Sequence, residues 1–205
     1  MQITELSEDT RLWQAVVAAQ ETATGARAQG LHLSQIVNDI AACVYPAEFW
    51  YLKRDGDAPV EYDARTRATF EAGHVIEDVI ADTFAKRLGW HKPESRQSAE
   101  GVWCSPDGYT PKTGTIDEMK ATWKSSRDFR QSPKWQLYLW QVLSYMHVFN
   151  ATRVRLHVVH MNGDWRPPRP APPQTYIIRP TPSEVAENWA MVTTHAKDRG
   201  WLRKR

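Results

Sequence analysis

Two acidic residues and one lysine, Asp107, Glu118 and Lys120, lie close together in the middle of the chain. Hydrolysis of a phosphodiester needs a hard divalent cation to polarise phosphoryl oxygen and activate water, and such cations prefer carboxylate oxygens. Asp107 and Glu118 could supply those oxygens. Because side chains alternate between the faces of a β-strand, Glu118 and Lys120 are expected on one face, with Lys120 near the attacking water. Asp117 and Met119 are then expected on the other face, with Met119 in the core.

The segment between the two carboxylates, residues 110–114, contains proline and glycine and is typical of a tight connection. It predicts a short hairpin that brings Asp107 and Glu118 side by side on adjacent strands. Taken alone, this pattern also fits the solvated face of an ordinary hairpin, since an aspartate followed by Glu-x-Lys is common in soluble chains.

The preceding segment, residues 65–88, predicts an amphipathic helix that ends near Gly89. Its apolar residues recur at helical spacing: Phe70, Val75, Ile76, Val79, Ile80 and Phe84. His74 and Glu77 are three residues apart, so they share a face and could address one site. The alternative is an ordinary charged face with His74 at the edge of the core.

A second helix is predicted over residues 133–150, after the Glu-x-Lys strand. Gln141 and Tyr145 are four residues apart and lie on one face of it. Their amide and phenol groups could hydrogen-bond a phosphate or a metal-bound water, although both side chains could instead be packing residues on an apolar helix.

These elements, in this order, resemble the PD-(D/E)XK nuclease superfamily, within it the RecB-like branch of CRISPR-associated and phage-type exonucleases. The resemblance runs from His74 to Tyr145. It consists of a Gly-His-x-x-Glu helix, an Asp and a Glu-x-Lys on a hairpin, and a Gln-x-x-x-Tyr helix. Residues 32–39 and 43–50 also resemble the opening element of these nucleases, more loosely.

The resemblance implies a role for each matching residue and a requirement for Mg²⁺ or Mn²⁺. The implied metal ligands are His74, Asp107, Glu118 and the carbonyl of Met119. The implied catalytic residues are Asp107, Glu118, the catalytic lysine Lys120, the substrate-positioning pair Gln141 and Tyr145, and the helix acid Glu77.

The cysteine content departs from part of this branch. Several RecB-like nucleases hold an iron-sulfur cluster through four cysteines, but this chain has two, Cys43 and Cys104. The chain therefore cannot supply the four thiolates that such a cluster needs, and no iron-sulfur cluster is expected. Cys43 is expected to be a buried small apolar residue.

The chain has 205 residues, of which 41% are hydrophobic, and is long enough for one α/β domain with a core. The order of patterns predicts a mixed central β-sheet flanked by helices. Residues 1–64 are expected to form a helical N-terminal region, with helices at 12–28 and 34–43. Residues 65–180 form the expected catalytic core, and 181–205 the C-terminal helix.

Further strands are predicted at 101–104, 116–122, 153–160 and 175–179, and the last helix is expected to start at Thr181 or Ser183. A turn is predicted at 162–164. The proline-rich stretch that follows, 165–173, suits neither a helix nor a central strand.

The net charge of +2 is small, so bulk charge alone does not indicate a nucleic-acid partner. Basic residues nevertheless follow the Glu-x-Lys strand, among tryptophans and serines, and could follow a phosphate backbone. These expected nucleic-acid-binding residues are Lys124, Arg127, Arg130 and Lys134. A solvated basic loop is the alternative interpretation.

Together these features predict a metal-dependent DNA exonuclease acting at duplex ends in recombination, replication or repair, with a phage as the candidate source and a recombination or replication protein as a candidate partner. A structure- or sequence-specific endonuclease and a non-catalytic binding or inhibitory module are the alternatives. No apolar run is long enough to span a membrane and the first residues lack a signal peptide, so a cytoplasmic location is expected, in the bacterial host if phage-encoded.

Overall fold

The structure, a computed structural model, describes residues 30–52, 67, 69–75, 77, 86, 91–161 and 174–203. Over these residues the protein has the predicted mixed α/β fold. The helix predicted at 12–28, the turn at 162–164 and the proline-rich stretch at 165–173 lie outside the described residues.

The main sheet has four strands in the order β4, β5, β6 and β7. Their bounds are β4 Gly108–Thr110, β5 Thr115–Thr122, β6 Arg153–His160 and β7 Gln174–Ile178. The β4–β5 and β6–β7 pairs are antiparallel, whereas β5 and β6 are parallel along all eight residues. The predicted strand at 153–160 is therefore confirmed, and those at 116–122 and 175–179 are confirmed to within a residue.

A tight turn joins β4 to β5, as the proline and glycine predicted. It is a short 3-10 turn, Pro111–Thr113, followed by Gly114 at φ 56°. This left-handed conformation favours glycine. The strand that pairs with β5 is β4. The predicted hairpin required such a strand without giving its bounds, and Asp107, expected on it, immediately precedes it.

The predicted strand at 101–104 belongs to a second, small sheet. In it, β3, Val102–Cys104, lies between β1, Leu31–His32, and β2, Arg96–Gln97. The chain therefore changes sheet between β3 and β4, over Ser105–Asp107, and Asp107 is the last residue before β4.

Three helices are described over their full length: α1 Leu33–Val44, α3 Pro133–Phe149 and α4 Pro182–Asp198. Helices α1 and α3 agree with their predictions to within one residue at each end. Helix α4 starts where it was predicted but ends at Asp198, earlier than the C-terminal helix expected over 181–205. In addition, residues 67, 69–75, 77 and 86 are helical and belong to the predicted helix at 65–88, here α2. Val75 was expected on its apolar face but is 57% exposed.

The helix ends follow ordinary capping chemistry. The side chain of Ser132 accepts a hydrogen bond from the Trp135 amide at the start of α3. Thr181 begins α4 with a reciprocal capping box to Glu184, so Thr181 is the cap of the two predicted candidates. None of the described helices is long and apolar enough to cross a membrane.

The core lies where α3 packs against β5 and β6, with α1 and α4 packed against α3. Its fully buried members include Ile36, Val142, Leu156 and Val192. Burying such side chains stabilises the fold by about 1.5–3 kcal/mol each. The sheet and α3 therefore form a rigid support for side chains at their shared edge.

A buried carboxylate joins α4 to α1. Asp39, 1% exposed, accepts hydrogen bonds from His195 Nε2 at 2.6 Å and from Arg199 Nε at 2.7 Å. Arg199 also donates to the Sγ of Cys43 at 3.0 Å. Cys43 is exposed, so the expectation that it is buried was wrong; it faces Arg199 at the surface of α1.

We expect Asp39→Ala to lower the free energy of unfolding by about 3 kcal/mol, because it leaves the Arg199 guanidinium and the His195 ring without their buried acceptor. Urea unfolding would measure this. Asp198→Ala, an exposed carboxylate at the end of α4, should have little effect and is the matched control. Equal stability of the two variants would show that the Asp39 contacts do not hold α4 in place.

Candidate active site

The candidate site lies where β5 continues past Asp117, beyond the residue at which β4 starts. Strand β4 pairs with β5 only from Thr115 to Asp117. Further along, the amide of Met119 donates to Oδ2 of Asp107 at 2.8 Å, and the amide of Ala121 donates to Oε1 of Glu77 at 2.6 Å. Backbone amides require acceptors when water is excluded. Two carboxylates thus take the place of a neighbouring strand along this edge.

Glu118 and Lys120 point to the same side of β5, as the alternation predicted. Lys120 Nζ lies 2.7 Å from Oε1 of Glu118, and Glu118 is 2% exposed. The amide of Asp107 donates to the other oxygen, Oε2, at 3.3 Å. Asp107 and Glu118 are therefore neighbours, as the predicted hairpin requires.

The opposite face of β5 carries a separate polar network. Arg155 Nε and His157 Nε2 lie 2.6 Å and 3.1 Å from Oδ1 of Asp117, which is fully buried. Burial raises the pKa of Asp117, but hydrogen bonds from His157 and Arg155 outweigh it and hold that pKa below its ordinary value. Met119, also expected on this face, is 1% exposed.

The carboxylates strongly affect one another. Burial, followed by the charge of Asp107, raises the pKa of Glu118 to about 8, while Lys120 opposes the rise. Burial lowers the pKa of Lys120, but Glu118, Glu77 and Asp107 raise it well above its ordinary value. Three carboxylates thus surround one ammonium group.

This cluster of one buried and two half-buried carboxylates fits a hard divalent cation such as Mg²⁺ or Mn²⁺. Of the two carboxylate oxygens of Asp107, Oδ2 accepts a hydrogen bond from the described residues and Oδ1 does not. Oδ1 is therefore the oxygen that could bind a metal ion. The residues at the start of β4 and on β5 therefore suit a metal of this class.

Helix α3 contributes the amide and the phenol that the sequence predicted on one face. Gln141 Nε2 donates to the hydroxyl of Tyr145 at 2.7 Å and to Oε1 of Glu118 at 3.3 Å. Tyr145 is 4% exposed, and burial, with the nearby charge of Glu118, raises its pKa well above the ordinary value. Tyr145 is therefore a neutral phenol that holds the Gln141 amide against Glu118.

Helix α2 brings His74 and Glu77 to the same cavity. Their side chains share a face, with His74 Nδ1 3.8 Å from Oε2 of Glu77, and the His74 side chain is 67% exposed. Across the described ranges, no three His, Cys, Asp or Glu side chains converge closely enough to share one ion. The structure thus joins Asp107 to Glu118 and places His74 at the cavity wall.

One open cavity of about 1190 Å³ is lined by the candidate site residues His74, Glu77, Asp107, Glu118, Lys120, Gln141 and Tyr145. Among the expected nucleic-acid-binding residues, Lys124 and Lys134 line it, whereas Arg127 and Arg130 do not. Lys124 Nζ lies 3.0 Å from Glu48. Other lining residues were not predicted: Glu48, Tyr51, Phe70, Trp103 and Tyr138. Tyr138 could have been found from its spacing, since it lies three residues before Gln141 on the same helix face.

No family model matches this sequence, and no curated protein matches it. The fold, however, is similar to solved structures. SSO0001 matches with a TM-score of 0.56 and 10% identity, over 94% of this chain and 86% of that one. The alkaline exonuclease LHK-Exo from Laribacter hongkongensis matches with a TM-score of 0.53 and 16% identity, over 91% and 92% of the two chains.

LHK-Exo in complex with dAMP matches with a TM-score of 0.55 and 16% identity, over 83% of this chain and 88% of that one. At this level of identity the comparisons establish the fold. The chain therefore shares the fold of an alkaline exonuclease.

We expect Mn²⁺ or Mg²⁺ to raise the melting temperature by ~5–10 °C at about a hundredfold excess over Kd, because the ion binds only the folded carboxylates. Asp107→Asn should abolish most of this shift. Differential scanning fluorimetry with EDTA as the reference would measure it. Asp198→Asn is the matched control, and an unchanged shift in Asp107→Asn would exclude Asp107 as a ligand.

Proposed function

We propose that the protein is a metal-dependent DNA exonuclease that hydrolyses phosphodiester bonds at duplex ends. The observation that carries this proposal is the contact of Lys120 with Glu118 at 2.7 Å, beside Asp107, within a large open cavity. The alkaline exonuclease fold supports the same reaction class. Fold alone does not determine activity, whereas the arrangement of Asp107, Glu118 and Lys120 is specific to this reaction class.

Asp107 and Glu118 would hold Mg²⁺ or Mn²⁺, with His74 and the Met119 carbonyl as further ligands. The Met119 amide bonds Asp107, and a strand residue directs its amide and carbonyl to the same edge. That carbonyl therefore belongs to the open edge as well. When bound, the ion would polarise the phosphoryl oxygen and activate water.

Lys120 would orient the attacking water and stabilise negative charge that develops on the phosphate. Its ammonium is held in place by Glu118 and lies 5.8 Å from the centre of the Tyr138 ring. Gln141 and Tyr145 would position the substrate and the Glu118 carboxylate. Glu77 would fix the edge of β5 through the Ala121 amide and contribute charge near the metal.

DNA is the proposed substrate, a choice supported by the complex of LHK-Exo with dAMP. Lys124 and Lys134 would contact its phosphates inside the cavity, and Arg127 and Arg130 would do so outside it. We further propose a role in recombination, replication or repair, in a phage-encoded context, alongside a recombination or replication protein.

We expect Lys120→Met and Glu118→Gln each to lower the cleavage rate on linear duplex by about 10²-fold or more, because each removes a group that acts in the reaction. Cleavage would be followed on end-labelled DNA with Mg²⁺, Mn²⁺ or EDTA. Lys112→Met, an exposed lysine in the β4–β5 turn, is the matched control and should cleave at the wild-type rate.

Covalently closed circular DNA, tested in parallel, separates the reaction classes. Loss of linear DNA alone supports an exonuclease, and the position of the label gives its polarity. Cutting of the circle would instead assign an endonuclease. Binding without any cleavage would indicate a non-catalytic module on the nuclease fold.

A further inference from the structure

Lys134 occupies an unusual environment near the start of α3. Its ammonium donates to the hydroxyl of Tyr51 at 2.7 Å. It lies 5.4 Å from the ring centres of both Phe49 and Tyr51, and 5.9 Å from that of Tyr138. These three aromatic residues form what is called here the aromatic box. Tyr51 and Tyr138 line the same cavity as Glu118 and Lys120.

Unlike its neighbours, Lys134 has no carboxylate partner among the described residues. Lys120 is paired with Glu118, and Lys124 is paired with Glu48. An ammonium group has three N–H donors, and the Tyr51 hydroxyl takes one of those of Lys134. Burial, followed by repulsion from Lys120, lowers the pKa of Lys134 to about 8. The charges of Glu48 and Glu77 oppose this fall, but no described carboxylate lies within ion-pair distance of Lys134, which keeps N–H groups that the described residues do not fill.

The direction of Lys134 is set by the helix. Lys134, Tyr138, Gln141 and Tyr145 follow one another at spacings of four, three and four residues, so they form one stripe on α3, and all four line the cavity. Lys134 and Gln141 are two helical turns apart, which is about 10 Å along the axis. Lys134 thus lies two turns nearer the start of α3 than Gln141, which contacts the Glu118 carboxylate.

We propose that Lys134, held by the aromatic box, binds a backbone phosphate that flanks the scissile phosphate on the same DNA strand. This inference rests on the proposed function. A phosphate oxygen would supply the missing anionic partner and accept the free N–H groups. The spacing along α3 places this contact next to the reacting phosphate. The reacting phosphate itself would be contacted by Lys120 and by the metal ion that the carboxylates hold. The rings limit the freedom of the lysine, so little side-chain entropy is lost on binding.

We test this by measuring DNA affinity against salt concentration, because each phosphate contact contributes a fixed slope. Binding of a short fluorescent duplex would be followed by anisotropy in a Glu118→Gln background, which prevents turnover. Lys134→Met should make the slope of log K against log salt shallower by about 0.7–0.9. Lys112→Met should leave it unchanged, and Lys134→Arg should retain it because the charge is kept.

With Glu118 intact, Lys134→Met should raise KM by about tenfold while kcat stays within a factor of about two, since the contact is equally present in the ground and transition states. Its melting temperature should equal or exceed that of the wild type, because methionine fits an apolar box without a buried charge.

An unchanged slope for Lys134→Met would overturn the phosphate contact. If the melting temperature of this variant were also lower than that of the wild type, Lys134 would have a structural role. If the Glu118→Gln protein binds no DNA at any salt concentration, the proposed function itself fails. The two failures are therefore distinguishable in one experiment.

Discussion

The candidate site depends on one constraint: β4 starts only at Gly108, opposite Asp117, beside a longer β5. Past Asp117 the amides on this edge of β5 still need acceptors, and within the described part of the chain Asp107 and Glu77 supply them. Satisfying the backbone therefore brings two carboxylates to the side chains of Glu118 and Lys120. The same hydrogen bonds that complete the sheet assemble the acidic cluster, so its geometry is as rigid as the strand.

The register of β5 determines which side chains reach that cluster. A shift by one residue would turn Glu118 and Lys120 to the opposite face. The parallel pairing with β6 along eight residues resists such a shift, and so does the network of Asp117 with Arg155 and His157. Asp117 also resolves an ambiguity of the sequence, where two adjacent acids precede the lysine. One of them stabilises the sheet, and the other faces the cavity.

Elements could be predicted from the sequence, but the sheet that a short strand joins could not. The strand at 153–160 alternates over eight residues, and α3 has clear start and stop signals. Strand β3 was predicted to within a residue, yet β3 and β4 have three residues each, too few to show a period, so the change of sheet between them could not be predicted. The bond of Glu77 to the Ala121 amide joins residues 44 apart in the chain, and only the folded structure shows it.

The cavity contains two ionisable groups of opposite charge, Glu118 and Lys134, and the surroundings of each disfavour its charged form. Around Glu118, burial and neighbouring carboxylates disfavour negative charge; around Lys134, burial and Lys120 disfavour positive charge. The two groups do not neutralise one another, because Glu118 is already paired with Lys120. A divalent cation would favour the charged form of Glu118, and an anion would favour that of Lys134. A DNA strand bound together with its metal ion supplies both, which makes this combination a better match to the cavity than either ion alone.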